Sequence, residues 1–308
     1  MPLLAALAAF ADRTILYPVV YPSRRATAPQ PEAPPTPAFA PMPALQGDPF
    51  VTPELPAYEL RDGLLRFESP AWPLVDEVAD RYLARARNRV AVTRLRGPVA
   101  GRSVALAVHG YLGGVEAIDA PSLAARVFTR AGYTFAHCTL PFHGRRAEKL
   151  GRPVFPNADP RVTFEAARQA ALDVASTVAV LRHLGARRVL LVGLSLGAYV
   201  SALAATITRD LDGLVLLTPL AALRPLGAER TGDARDLLAL TAATSRTPAI
   251  PGDRVLVVGA REDRITPLAH ARALADHFRA ELAVVDGGHL LPFGRDAVLT
   301  RWLASLAG

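Results

Sequence analysis

The chain has 308 residues, of which 51% are hydrophobic and 20% charged, a balance that supports a large buried core and excludes a disordered chain. Formal net charge is +7, yet the basic residues are scattered arginines with Lys149 the single lysine. Their longest runs are the pairs Arg24-Arg25, Arg145-Arg146 and Arg187-Arg188, which excludes a nucleic-acid patch. Cys138 is the only cysteine, so neither an internal disulfide nor a Cys-based metal site is expected; its apolar surroundings at 132–140 suit a buried structural thiol.

From the N-terminus, residues 1–20 read as a short helix packed on the domain. Ala9-Phe10-Ala11 looks like a signal cleavage site, but no positive charge precedes it and the apolar run before it is short. A cytoplasmic protein is therefore expected, with export or attachment to a membrane surface as the alternatives. Nothing is long and apolar enough to span a bilayer. Thirteen of the 27 prolines fall in residues 1–56, and the stretch APQPEAPPTPAFAPMP excludes helix or central strand there. Phe39, Met42, Leu45, Phe50, Leu55 and Tyr58 are interleaved with these prolines, so part of the arm is expected to lie along the domain surface. Residues 1–60 are thus assigned to an N-terminal helix and Pro-rich arm, and 61–308 to one domain.

Short β-rich runs at 64–68 and 89–95 flank a helix at 74–86. A strand at 104–108, a helix at 121–131 and a strand at 133–140 follow. The spacing of Ala167, Ala171, Val174, Val178 and Leu181 predicts a long helix over 162–184, closed by Gly185. Then come a strand at 189–192, a helix at 198–206, strands at 214–217 and 255–258, a helix at 266–278, a strand at 282–285 and a helix at 295–306. Apolar strands alternating with helices predict a parallel sheet covered on both faces.

Gly193-Leu194-Ser195-Leu196-Gly197 stands between the strand at 189–192 and the helix at 198–206. Strand, Gly-x-Ser-x-Gly and helix together make a nucleophile elbow, in which the glycines let strand and helix approach and the serine hydroxyl stands at the positive helix end. Alone, the motif also fits an N-cap serine in a glycine-rich turn. Three further pieces follow strand ends: His109-Gly110-Tyr111-Leu112-Gly113-Gly114, Gly259-Ala260-Arg261-Glu262-Asp263 and Asp286-Gly287-Gly288-His289. The backbone N–H groups of Tyr111 and Leu196 can form an oxyanion hole.

On the HG loop at 109–110, the elbow, the Gly-x-x-x-Asp-x-x-x-Pro stretch at 259–267 and the Gly-Gly-His at 287–289, the chain resembles the α/β-hydrolase superfamily over roughly residues 64–306. The resemblance implies a mostly parallel central sheet of about eight strands with helices on both faces and a small cap or none. It implies Ser195 as nucleophile, Asp263 as acid and His289 as base, with Glu262 and Asp286 as competing carboxylates. His109, Leu112, His143 and Leu290 are the substrate-pocket candidates. The expected activity is hydrolysis of a small-molecule carboxylic ester, thioester or lactone through an acyl-enzyme, with no metal or organic cofactor. The alternatives are acyl transfer or peptide hydrolysis on the same triad, and a non-catalytic binding protein of the same fold.

One stretch departs from the family pattern. Leu140-Pro141-Phe142-His143-Gly144-Arg145-Arg146 lacks the Asp that many relatives carry there. His143 is expected as a loop or pocket residue, and Arg145-Arg146 as a solvated pair or a contact for an anionic substrate group. His137 and His183 read as structural. About 37 residues separate the strands at 214–217 and 255–258, enough for a short cover only. The loop at 145–161 is a second candidate for the pocket wall.

Overall fold

The computed structural model describes residues 12, 43, 45–148, 154–224, 226–227 and 229–306. The helix expected within 1–20, apart from Asp12, most of the Pro-rich stretch and residues 149–153 of the 145–161 loop lie outside the described residues.

Among the described residues the chain forms one ten-stranded sheet. Its strands are β1 (Tyr58–Arg61), β2 (Leu64–Glu68), β3 (Val90–Arg96), β4 (Ser103–Val108), β5 (Thr134–Thr139), β6 (Arg188–Leu194), β7 (Gly213–Leu217), β8 (Val255–Ala260), β9 (Glu281–Gly287) and β10 (Pro292–Phe293), in the order β1-β2-β3-β5-β4-β6-β7-β8-β9-β10. From β5 to β9 all pairings are parallel, and the four outer pairings are antiparallel. Every residue of β4, β5, β7 and β8 is buried, as expected for strands covered on both faces.

The helices are α1 (Asp76–Leu83), α2 (Glu116–Ser122), α3 (Ala125–Arg130), α4 (Pro160–His183), α5 (Leu196–Ala204), α6 (Leu237–Leu240), α7 (Leu268–Phe278) and α8 (Arg295–Ser305). Alternate strand residues feed two cores. Val104, Leu106 and Val108 pack with α4, α5 and α7, whereas Ala105 and Ala107 pack with Phe128 of α3 and with Leu299, Trp302 and Leu303 of α8. Asp159 caps α4 by accepting from the Arg161 N–H, and Pro160 stands where its missing donor costs nothing. From the arm, Phe50 is buried among Ala171, Leu172, Ala175, Leu203 and Ile207.

The sheet has two strands more than the expected eight. β1 is largely exposed and so carries no apolar signal, and β10 is two residues long and starts with proline. The single helix expected at 121–131 is two helices, broken where Ala124 takes a left-handed conformation (φ 53°). Between β7 and β8 the described chain holds only α6 and single 3₁₀ turns, so the cover is small. Among the described residues no helix is long and apolar enough to cross a membrane.

Register decides where the site can form. Val108 of β4 pairs with Gly193 of β6, Gly193 with Leu216 of β7, Leu217 with Val258 of β8, and Ala260 with Val285 of β9. The C-terminal ends of these strands are therefore level, and the loops leaving them share one edge, where open α/β sheets build their sites.

Candidate active site

β6 ends at Leu194 and α5 begins at Leu196, so Ser195 alone makes the turn. Its backbone sits at φ 56° and ψ −115°, a strained conformation for a side chain other than glycine, costing about 1–3 kcal/mol. Both glycines are required by space. A Cβ at Gly193 would lie 2.5 Å from Ala198 Cα, and one at Gly197 would lie 2.1 Å from the Val108 carbonyl oxygen. Ser195 is held by its own N–H, which donates to the Leu217 carbonyl at 2.9 Å. The Leu196 amide belongs to the first turn of α5, where no intrahelical acceptor exists.

The loop at 109–114 lies against this turn: a Cβ at Gly110 would be 3.5 Å from Ser195 Cβ. It is supported from behind by three buried histidines and one aspartate. His109 Nε2 accepts from the Leu140 N–H at 3.0 Å, so the proton sits on Nδ1, which donates to the Gly110 carbonyl at 2.7 Å. Burial pushes the His109 pKa down to about 3. His143 lies 2.6 Å through Nε2 from the Tyr111 carbonyl and 2.7 Å through Nδ1 from the Pro141 carbonyl. Burial lowers its pKa as well, and a neutral ring donates to only one of these two oxygens. Asp119 accepts from the Gly114 N–H at 2.7 Å and from His137 Nε2 at 2.9 Å.

Asp263 follows β8 in a tight turn. Its Oδ1 accepts from the N–H groups of Ile265 (2.8 Å) and Thr266 (2.7 Å), which fixes the carboxylate plane. Its Oδ2 then lies 2.8 Å from His289 Nδ1, with both side chains buried. Thr266 Oγ1 completes the junction at 2.8 Å from Asp263 Oδ2 and 3.0 Å from both His289 Nδ1 and the Thr218 carbonyl. The two other carboxylates point elsewhere. Asp286 is exposed and pairs with Arg261 at 3.2 Å, and Glu262 accepts from the Gly287 N–H at 2.7 Å. Among the described residues all hydrogen bonds of the His289 ring lie at Nδ1, and none joins it to Ser195 Oγ. Catalytic contacts of this kind commonly tighten only around bound substrate.

Residues 176–305, which include the elbow, Asp263 and His289, match the family model for serine hydrolases. Three solved structures are similar to this chain in fold. Acetyl xylan esterase 1 from a Thermoanaerobacterium species superposes with a TM-score of 0.56 at 17% identity, over 82% of this chain and 89% of its own. TT1662 from Thermus thermophilus gives 0.52 at 23% identity, over 70% and 93%. Est1E from Butyrivibrio proteoclasticus, bound to ferulic acid, gives 0.52 at 13% identity, over 82% and 99%. This is the α/β-hydrolase fold. No curated protein matches the sequence significantly.

Within this α/β-hydrolase fold, the expected pocket residues divide. Leu112 and Leu290 are exposed, as are Val115, Ile118 and Leu291. His109 and His143 are wholly buried, and their nitrogens face backbone groups, so they support the 109–114 loop instead of lining a pocket. Arg145 is exposed, but Arg146 is not its solvated twin: it is fully buried on Asp173 of α4 at 2.8 Å and also donates to the Thr139 and Asn88 carbonyls. Its partner lies in a distant helix, which no local pattern announces. Cys138 is buried, and burial pushes its thiol up to about 11. His137 is buried on Asp119, and His183 packs edge-on against the Tyr58 ring. A groove of about 1100 Å³ between residues 48–52 and 245–251 lies at the other end of α5 from Ser195.

Two residues of the site went unread in the sequence. Thr266 had a signal, the Asp-x-x-Thr spacing of a side-chain-capped turn. Asp12 had none. It is wholly buried, with Oδ2 accepting from the His289 N–H at 2.5 Å and Oδ1 from the Leu290 N–H at 3.0 Å. Burial raises its pKa, and the two amides and the His289 charge pull the other way.

Proposed function

We propose that this protein is a serine hydrolase that cleaves small carboxylic esters through an acyl-enzyme. Ser195 is the nucleophile, His289 the base and Asp263 the acid. The observation that carries the reading is the strained turn at Ser195, at the N-terminus of α5, with a buried Asp263–His289 pair formed at neighbouring strand ends. His289 takes the Ser195 proton as Oγ attacks the ester carbonyl. Asp263 keeps the remaining ring proton on Nδ1 and supports the imidazolium. The N–H groups of Tyr111 and Leu196 receive the tetrahedral oxyanion. Collapse expels the alcohol, which takes its proton from His289, and water activated by the same ring then frees the acid. Esters are preferred to other acyl compounds because two of the similar structures are named as esterases or bind a carboxylic acid.

A fluorophosphonate probe and p-nitrophenyl acetate test this directly. Wild type labels at Ser195 and turns the ester over. Ser195→Ala, which fits the same turn, loses labelling and at least about 10³-fold in kcat. A wild-type chain inert to both reagents, or a variant that hydrolyses the ester normally, would sink the mechanism.

A further inference from the structure

We propose that Asp12 is a positioning residue for His289: it clamps the backbone of the loop that carries the base, and so holds the imidazole on Asp263. The proposal rests on the reading of His289 as the base. Its basis is geometric. His289 and Leu290 belong to no strand or helix, so their N–H groups have no ladder to satisfy them. Both donate to the same carboxylate, one to each oxygen, at 2.5 and 3.0 Å. Hydrogen bonds to a charged acceptor are among the stronger kinds. Two consecutive amides on the two oxygens of one group also fix the orientation of the peptide between them.

The loop is pinned at its other end by Glu262, which accepts from the Gly287 N–H while its own N–H donates to the Gly287 carbonyl. Glu262 thus secures the strand end before the histidine, and Asp12 secures the histidine and the residue after it. Among the described residues the ring itself is then held only at Nδ1, by Asp263 and Thr266. Without Asp12 the His289 backbone would have no hydrogen-bonded anchor at its N–H, and the 2.8 Å contact to Asp263 would depend on the ring alone. Among the described residues the charged groups around the loop are Asp12, Asp263 and Glu262, with Asp286 paired to Arg261. Asp12 therefore adds a negative charge close to the imidazolium that forms during reaction.

The test uses the full chain. In Asp12→Asn one oxygen can still accept, but an NH₂ now faces the second N–H. The expected result is a fall in kcat of about 10- to 100-fold with KM within about 2-fold, because the loop is misplaced for the chemical step and not for binding. A residue that only stabilised the fold would lower Tm and leave kcat and KM in place; an unchanged kcat would overturn the proposal. Hydrogen exchange on the wild type gives a second test that needs no variant. The His289 and Leu290 amides should exchange as slowly as the neighbouring strand, and rapid exchange would also overturn it. The function is separately readable. A wild type that does not react with fluorophosphonate but protects these amides defeats the hydrolase reading and keeps the clamp. A reactive wild type matched by Asp12→Asn defeats the clamp alone.

Discussion

An amide in place of Asp263 would have its orientation decided by two neighbouring N–H groups. Those of Ile265 and Thr266 both donate to Oδ1, so an asparagine must keep its oxygen there and turn its NH₂ toward His289. Nδ1 would then have to accept, the ring proton would move to Nε2, and His289 could no longer take the Ser195 proton. Asp263→Asn should therefore lose on the order of 10⁴ in kcat. Asp286→Asn removes only an exposed contact to Arg261 and should stay within about 3-fold of wild type. Steady-state kcat values for the two variants check the assignment, and the reverse order refutes it.

At the scale of elements, what the sequence revealed was whatever chemistry is local. The run Val-Leu-Leu-Val before Gly193 could only be a buried strand, and the glycine spacing reported a close approach that the structure resolves as contact with Val108 and Ala198. Three strand ends carrying Ser195, Asp263 and His289 were legible for the same reason. Edge strands β1 and β10 were not, because an exposed or two-residue strand has no apolar pattern to read. Nor was the break at Ala124, whose left-handed turn is taken by a residue with no preference for it. Asp12 and the Arg146–Asp173 pair escaped because their partners are brought by tertiary structure alone. The short cover between β7 and β8 has a consequence for selectivity. The α-helix described there, α6, is a single turn whose Leu237 is buried in the core, leaving little apolar wall for a long acyl chain. Acetyl and butyryl esters should give higher kcat/KM than dodecanoyl or longer esters. A chain-length series rising toward long acyl groups would refute this.

The whole molecule should be sensitive to mild acid through the histidines behind the 109–114 loop. The folded-state pKa of His109, about 3, lies below the ordinary value near 6.5. Below pH 6.5 the unfolded chain binds a proton that the folded chain refuses, so this stability is complete above that pH and falls as pH drops toward 3. His143 is shifted the same way. Between pH 7 and pH 5, His109 alone should remove about 2 kcal/mol. Urea unfolding at both pH values measures this. In His109→Gln the loss between them should shrink by about that amount, whatever the variant's stability at pH 7; an unchanged loss would place the sensitivity elsewhere.

The order of the strands also sets when activity can first appear. Ser195 leaves β6, Asp263 leaves β8 and His289 leaves β9, with β7 between them, while Asp12 reaches His289 across 277 positions. Closing such distant contacts comes late in folding, since the entropy of long loops must be overcome before any contact rewards it. A refolding or newly made chain would thus assemble its sheet first and become reactive last, staying chemically silent while its aggregation-prone surfaces are still exposed.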